Sequence, residues 1–264
     1  MEEQKMSLVE HLSELRKRIV ICLVALVVAF IITFSQSEAI FELLLFPLNY
    51  SPQFSLKEGL VFVPEQKLQN TKLIFLGPAE AFWMNMKIAL VSGFILTIPV
   101  IFYEIWKFIS PGLYSHEKKY VLPFVLAATG LFLIGVTFCY LIVLPFAMSF
   151  LLNYKVGDFL MPMLSVGLYI DFLLKFLLAF GFVFELPVLI VITTRMGLIT
   201  PQTLKKYRRL AILLAFIVAA IITPTPDAFN QTLMAVPMII LYEIGIWVSI
   251  ILNKKREEGN GGKE

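Results

Sequence analysis

The sequence predicts an all-α, polytopic membrane protein, and three observations carry that prediction. Hydrophobic residues fill 59% of the 264 positions and charged residues only 16%, whereas a soluble domain carries roughly 25% charged residues. The mean hydropathy is +0.84, and the apolar residues gather in long blocks that a water-soluble core does not require. The Lys and Arg residues collect between alternate blocks, as the chain ends and loops of a multi-span protein do. Helices are the expected spanning element because a lipid-exposed backbone must satisfy its own hydrogen bonds. The two-residue alternation of a barrel strand is absent from the sequence.

Six apolar segments follow in order, over residues 19–36, 84–104, 120–147, 168–193, 210–222 and 232–252. A helix crosses a ~30 Å hydrocarbon core with roughly 20 residues. The first segment follows Arg16-Lys17-Arg18 and resembles the basic and apolar parts of a signal peptide. It runs on through Thr33 and Phe34 into Ser35-Gln36-Ser37-Glu38 without a good small-x-small cleavage site, so it reads as a retained span. Phe82–Met86 form the expected first turn of the second.

Segment five is short: its 13 residues reach about 20 Å at 1.5 Å each. Charge decides for six spans. With six, the amino tail, the 107–119 loop, the 195–209 loop and the carboxyl tail share one side and hold sixteen of the 22 Lys and Arg. The other side holds Lys57, Lys67, Lys72 and Lys155. Positive residues mark the cytoplasmic side, which places both termini there. Five spans would send Lys254, Lys255 and Arg256 outward. The short fifth span then predicts a thinned bilayer or a partner helix covering its ends.

Pro99, Pro123, Pro145, Pro187 and Pro237 interrupt the segments, and each removes a backbone donor and favours a kink. A bundle of bent helices leaves a concave face more readily than straight rods. In the long loop 37–77, Leu60-Val61-Phe62-Val63-Pro64 reads as a short strand. Residues 1–253 form one six-helix membrane domain in this reading, and 254–264, ending in a Gly-rich stretch, a disordered tail.

Polar residues inside the segments are the candidates for function. Glu185 lies near the middle of segment four, where an ionised carboxylate costs at least ~2.5 kcal/mol on insertion scales. It is expected to face a cavity or partner, or to be a neutral, hydrogen-bonded core acid. Glu243 in segment six is of the same kind. No H-E-x-x-H, G-x-S-x-G or G-x-x-x-x-G-K-[ST] pattern occurs, so the chain is not expected to be an enzyme or to hold a cofactor. His11 and His116 are too few for most zinc sites. Cys22 and Cys139 each sit in an apolar block and read as buried free thiols.

Two further stretches flank the membrane. Before segment one stands His11-Leu12-Ser13-Glu14-Leu15-Arg16-Lys17-Arg18. Between segments two and three stands Tyr103-Glu104-Ile105-Trp106-Lys107-Phe108-Ile109-Ser110-Pro111-Gly112-Leu113-Tyr114-Ser115-His116-Glu117-Lys118-Lys119. With Phe180–Pro187, Thr223–Leu233, Ala235-Val236-Pro237 and Tyr242-Glu243-Ile244-Gly245, they resemble the TatC family over essentially the whole chain. These are the polytopic subunits of twin-arginine protein translocases.

The resemblance implies a cupped, glove-like bundle in the bacterial inner membrane. It implies binding of twin-arginine signal peptides on folded cargo, and transport driven by the proton-motive force with TatA- and TatB-type single-span partners. Self-association is expected, and nucleic acid is not. The family's arginine-receiving acids match Glu14 and Glu117, a sensible pairing because guanidinium and carboxylate bond in planar, bidentate fashion. Arg16, Phe108, Pro111, Leu113 and Tyr114 match positions around that site. Without the resemblance, Glu14 and Glu117 read as solvated membrane-edge acids, and Trp106, Phe108 and Tyr114 as an interfacial aromatic belt. Glu185, Thr223 and Gln231 match the partner-helix contacts at segments four to six. Glu104 departs from the family pattern, standing where many relatives carry Gln, and the first external loop is longer than usual.

Two other classes make different demands. A small-solute transporter would show paired broken segments in two related halves, and an intramembrane enzyme would need a nucleophile and base within the bilayer. Neither pattern is found.

Overall fold

The computed structural model describes residues 8–55, 59–64, 73–109, 121–153, 163–223 and 227–260. Helix dominates, because long apolar stretches leave the backbone no other partner. The helices are α1 Leu8–Ser35, α2 Ser37–Leu44, α3 Phe46–Asn49, α4 Glu80–Ile109, α5 Val121–Phe138 and α6 Leu144–Asn153, followed by α7 Val166–Val183, α8 Leu186–Arg195, α9 Pro201–Lys206, α10 Arg208–Ile222 and α11 Ala228–Asn260. Four short strands join them: β1 Tyr50–Ser55, β2 Gly59–Pro64, β3 Leu73–Ile74 and β4 Leu164–Ser165.

Among the described residues, five helical stretches are long and apolar enough to cross a bilayer: Val9–Ser35, Glu80–Ile109, Leu122–Leu152, Val166–Arg195 and Ala228–Leu252. Segment five forms a helix as expected, but α10 has 15 residues, or about 22 Å of length. The expected strand is present as β2 and pairs antiparallel with β1, Tyr50 opposite Pro64 and Ser55 opposite Gly59. Helix α11 runs on to Asn260, past the predicted end of its span at 252. Lys254 to Glu258 are good helix formers, and the glycines follow only at its end.

Packing divides the chain into two units, Met1–Leu43 with Ala81–Gly130, and Leu44–Glu80 with Leu131–Glu264. In the first, α1 lies along α4. Thr33 donates its hydroxyl proton toward the carbonyls of Ala89, at 2.7 Å, and of Ala29 in its own helix, at 2.9 Å. Gly93 lets the helices approach: a Cβ there would stand 3.0 Å from the Phe30 nitrogen and 3.1 Å from its Cα. Beyond this seam α1 stays open, and Val20, Val24, Val27 and Ile31 are exposed apolar side chains suited to lipid.

In the second unit α7 carries four fully buried large side chains, Ile170, Leu173, Phe176 and Phe180. The helix is disturbed beside Pro145 and Pro187, whereas the other prolines of the apolar segments lie within continuous helices. Ahead of Pro145, residues Cys139–Val143 form a π-helical turn, and the Leu144 N–H reaches back to the Cys139 carbonyl. Widening the turn relieves the clash of a proline ring with the preceding carbonyl. Segment four breaks before Pro187: α7 ends at Val183, and Glu185 is the residue before α8, with Pro187 in its first turn. Pro99 and Pro237 stay inside α4 and α11.

The loops of this unit are tied by one carboxylate. Glu80 accepts from the N–H groups of Leu76, Gly77 and Gly167 and from the Ser165 hydroxyl. Those bonds bring Leu73–Ile74 beside Leu164–Ser165 as a parallel pair. Ser165 in turn caps α7 by accepting from the Leu168 N–H at 3.3 Å.

Candidate functional site

The face of α1 that meets α4 recurs at helical spacing through His11, Glu14, Arg18, Cys22, Ala29 and Thr33, all at least partly buried. Near its start this seam turns polar. Glu14 and Arg18 stand one helical turn apart, in the favourable order with the acid first. Arg18 Nη2 donates to Glu14 Oε1 at 2.9 Å, and Nη1 donates to Glu104 Oε2 at 3.0 Å. Glu104 comes from the last turns of α4 and is buried, so one guanidinium bridges two acids from elements far apart in sequence. The cluster of two carboxylates and one guanidinium is net negative.

Aromatic packing holds the cluster in place. The His11 ring stacks on Phe108, with centroids 4.4 Å apart and planes 19° apart. Trp106 is buried and stacks on Phe124 at 5.0 Å. It therefore serves the packing of α4 rather than an exposed interfacial belt. With Thr33–Ala89 at one end of the seam and His11–Phe108 at the other, the helices fix where Glu14 and Glu104 meet.

The predicted residues of this site fall into three groups. Glu14 lies in the cluster, and Phe108 supports it through His11. Arg16 is exposed, two positions and so about 200° around the helix from Glu14, and takes no part in the cluster. Pro111, Leu113, Tyr114 and Glu117 lie outside the described residues. Arg18 was passed over by sequence reasoning as one more basic flank of the first span. Its spacing from Glu14 was the available signal; its bond to Glu104 was not legible.

The residues predicted to meet a partner helix lie just before α8, just after α10 and on α11. Glu185 is 7% exposed, and its Oε1 has no hydrogen-bond partner among the described residues. Thr223, at the end of α10, is buried and donates to the Ala219 carbonyl at 2.8 Å. Gln231 on α11 donates Nε2 to the Phe216 carbonyl at 3.1 Å, which ties the two helices together. Asp227 caps α11 by accepting from the Asn230 N–H at 2.7 Å. Between α8, α10 and α11 lies an apolar pocket of about 250 Å³ lined by Leu186, Ala215, Val218 and Met238, with Arg208 and Glu243 in its wall. Glu243, read from sequence as a midspan acid like Glu185, instead pairs with Arg208 at 2.6 Å. Arg208 opens α10, outside the apolar segment as drawn from sequence, so its pairing with Glu243 lay beyond that segment's reading.

Neither place has the makings of a metal centre. Among the described residues no three His, Cys, Asp or Glu side chains come together to hold an ion. What the first site offers is a pair of carboxylates already shaped around a guanidinium.

Comparison with known proteins agrees over nearly the whole length. Residues 10–237 match the family model for TatC, the Sec-independent protein translocase protein. The chain is 43% identical to the Sec-independent protein translocase protein TatC of Desulforapulum autotrophicum, over 97% of this chain and 88% of the relative. It is 40% identical to that of Aquifex aeolicus, over 96% and 98%. A crystal structure of a twin-arginine translocase receptor, TatC, superposes with a TM-score of 0.76 at 40% identity, covering 92% of this chain and 99% of that one. A second, of the receptor in DDM, gives 0.78 at 39% identity, covering 91% and 99%.

Proposed function

Because the chain belongs to the TatC family of Sec-independent protein translocase proteins, we propose that it is the receptor that reads twin-arginine signal peptides. It is a multi-pass helical membrane protein and a component of protein transport. In the proposed reading Glu14 and Glu117 take the signal's two arginines on the cytoplasmic side of a bacterial inner membrane, and the proton-motive force drives export of folded cargo.

The observation that carries this reading is the guanidinium of Arg18 held between Glu14 and Glu104. A pocket that seats one guanidinium has the charge and spacing to seat another. Bidentate guanidinium–carboxylate geometry also supplies a reason to prefer arginine over lysine. Exposed pairs contribute only about 0–1 kcal/mol each, so the apolar part of the signal must add contacts along the helices.

The partners in this reading are TatA- and TatB-type single-span proteins, docking beside α10 and α11 near Glu185, Thr223 and Gln231. Two features support it: α10 is too short to match the bilayer by itself, and an apolar pocket lies beside it.

The test is selective capture. The detergent-solubilised chain should co-purify with a precursor bearing Arg-Arg and far less with one bearing Lys-Lys. Glu14→Ala and Glu117→Ala should each weaken capture by up to about fivefold, as loss of a pair worth ~1 kcal/mol does, while insertion is unchanged. Equal capture of both precursors, or full affinity in the double variant, would remove the assignment.

A further inference from the structure

We propose that Arg18 is a resident stand-in for the signal's arginine, and that a twin-arginine peptide binds by displacing it from Glu14 while Glu104 retains it. This rests on the reading of Glu14 as an arginine-receiving acid and adds how access to that acid is controlled.

The geometry has the marks of an exchangeable contact. Arg18 gives one nitrogen to each acid rather than a two-pronged bond to either. Glu14 Oε2 and Arg18 Nε are both buried, and neither finds a hydrogen-bond partner among the described residues. The cluster is therefore satisfied by halves. A guanidinium arriving at Glu14 could occupy both carboxylate oxygens, including the one now bare.

Burial makes a second acid necessary. The side chains of Arg18, Glu14 and Glu104 are only 14%, 16% and 8% exposed. A cation so enclosed cannot simply be turned out, because an unpaired buried charge is strongly destabilising. Glu104 solves this. When Glu14 changes partner, Arg18 keeps a carboxylate through the 3.0 Å bond from Nη1, and the incoming arginine restores the charge balance at Glu14. Lysine, a point charge without the planar fork, would compete less well for both oxygens of Glu14. Arg18 thus raises the threshold for binding and sharpens the choice of ligand.

The test is a thermodynamic cycle on the full chain in detergent, titrated with a labelled signal peptide bearing Arg-Arg and its Lys-Lys counterpart. Arg18→Gln should tighten Arg-Arg binding about tenfold, the range of coupling found for residues in one charged network. It should also narrow the gap between the two peptides. Glu104→Gln should weaken binding, because Arg18 is left with Glu14 alone. That loss should vanish in Arg18→Gln/Glu104→Gln, where nothing remains to be parked. Weaker binding in Arg18→Gln, or a Glu104→Gln loss that persists in the double variant, would overturn the proposal. Where Arg18→Gln does not insert, unchanged or tighter binding by Glu104→Gln alone would do so. Failure of the underlying reading looks different: the wild-type chain would then show no preference for Arg-Arg over Lys-Lys.

Discussion

Two acids of the chain are buried to a similar degree and differ in what surrounds them. Glu104 is 6% exposed and held by Arg18; Glu185 is 7% exposed, with one oxygen bare among the described residues. A carboxylate in that state within a membrane helix is costly, at least ~2.5 kcal/mol if ionised. Glu185→Gln keeps the shape and removes the ionisable group, so the variant should insert normally and unfold at an equal or higher temperature. Export of a folded twin-arginine reporter should fall by about tenfold, the loss that follows when an interaction of ~1.4 kcal/mol is removed. Wild-type export would return Glu185 to a structural role. These acids were visible in the sequence because charge is rare in the segments. What they touch was not: Glu14 and Arg18 are neighbours in sequence, but Glu104 joins them only once α4 lies against α1.

Helices and their interruptions were legible to the extent that local chemistry sets them. Pro145 and Pro187 announced disturbed helices, and the apolar, β-branched run Leu60–Val63 announced a strand. Its partner Tyr50–Ser55 carries Pro52, which argues against a strand, and was missed because cross-strand pairing, not propensity, decides there. The close approach of α1 and α4 depends on a residue that local signals did not single out. Gly93 sits where a side chain would strike the Phe30 backbone. Gly93→Leu should push the helices apart and cost about 1–3 kcal/mol, read as a lower melting temperature in detergent. Glu104 and Glu14 would part with them, so signal-peptide affinity should fall in the same variant although it touches no ligand. Retained affinity with lowered stability would show that the acid cluster is held by the His11–Phe108 stack instead.

At the scale of the whole chain the open issue is how often it crosses the bilayer, and α10 decides it. Length argues against a crossing: 15 residues cover about 22 Å of a ~30 Å core. Charge argues for one, because only six crossings put Lys254, Lys255 and Arg256 on the side that already holds Arg16, Lys107 and Arg208. The two arguments differ in strength. Mismatch costs fractions of a kcal/mol per Å and can be relieved by thinning or by a neighbouring helix. Each Lys or Arg in a short flanking segment biases orientation, and the basic cluster 205–209 runs from the end of α9 into the first turn of α10. We therefore expect α10 to cross. Single cysteines at 5, 57, 155 and 254, probed with a membrane-impermeant maleimide on intact cells, separate the alternatives. Lys57→Cys and Lys155→Cys should label at once, whereas Lys5→Cys and Lys254→Cys should label only after permeabilisation. With five crossings Lys254→Cys would label from outside while Lys5→Cys stayed protected, so the carboxyl tail alone distinguishes the two counts. The native Cys22 and Cys139 lie within helical segments, Cys139 fully buried, and should leave the background low.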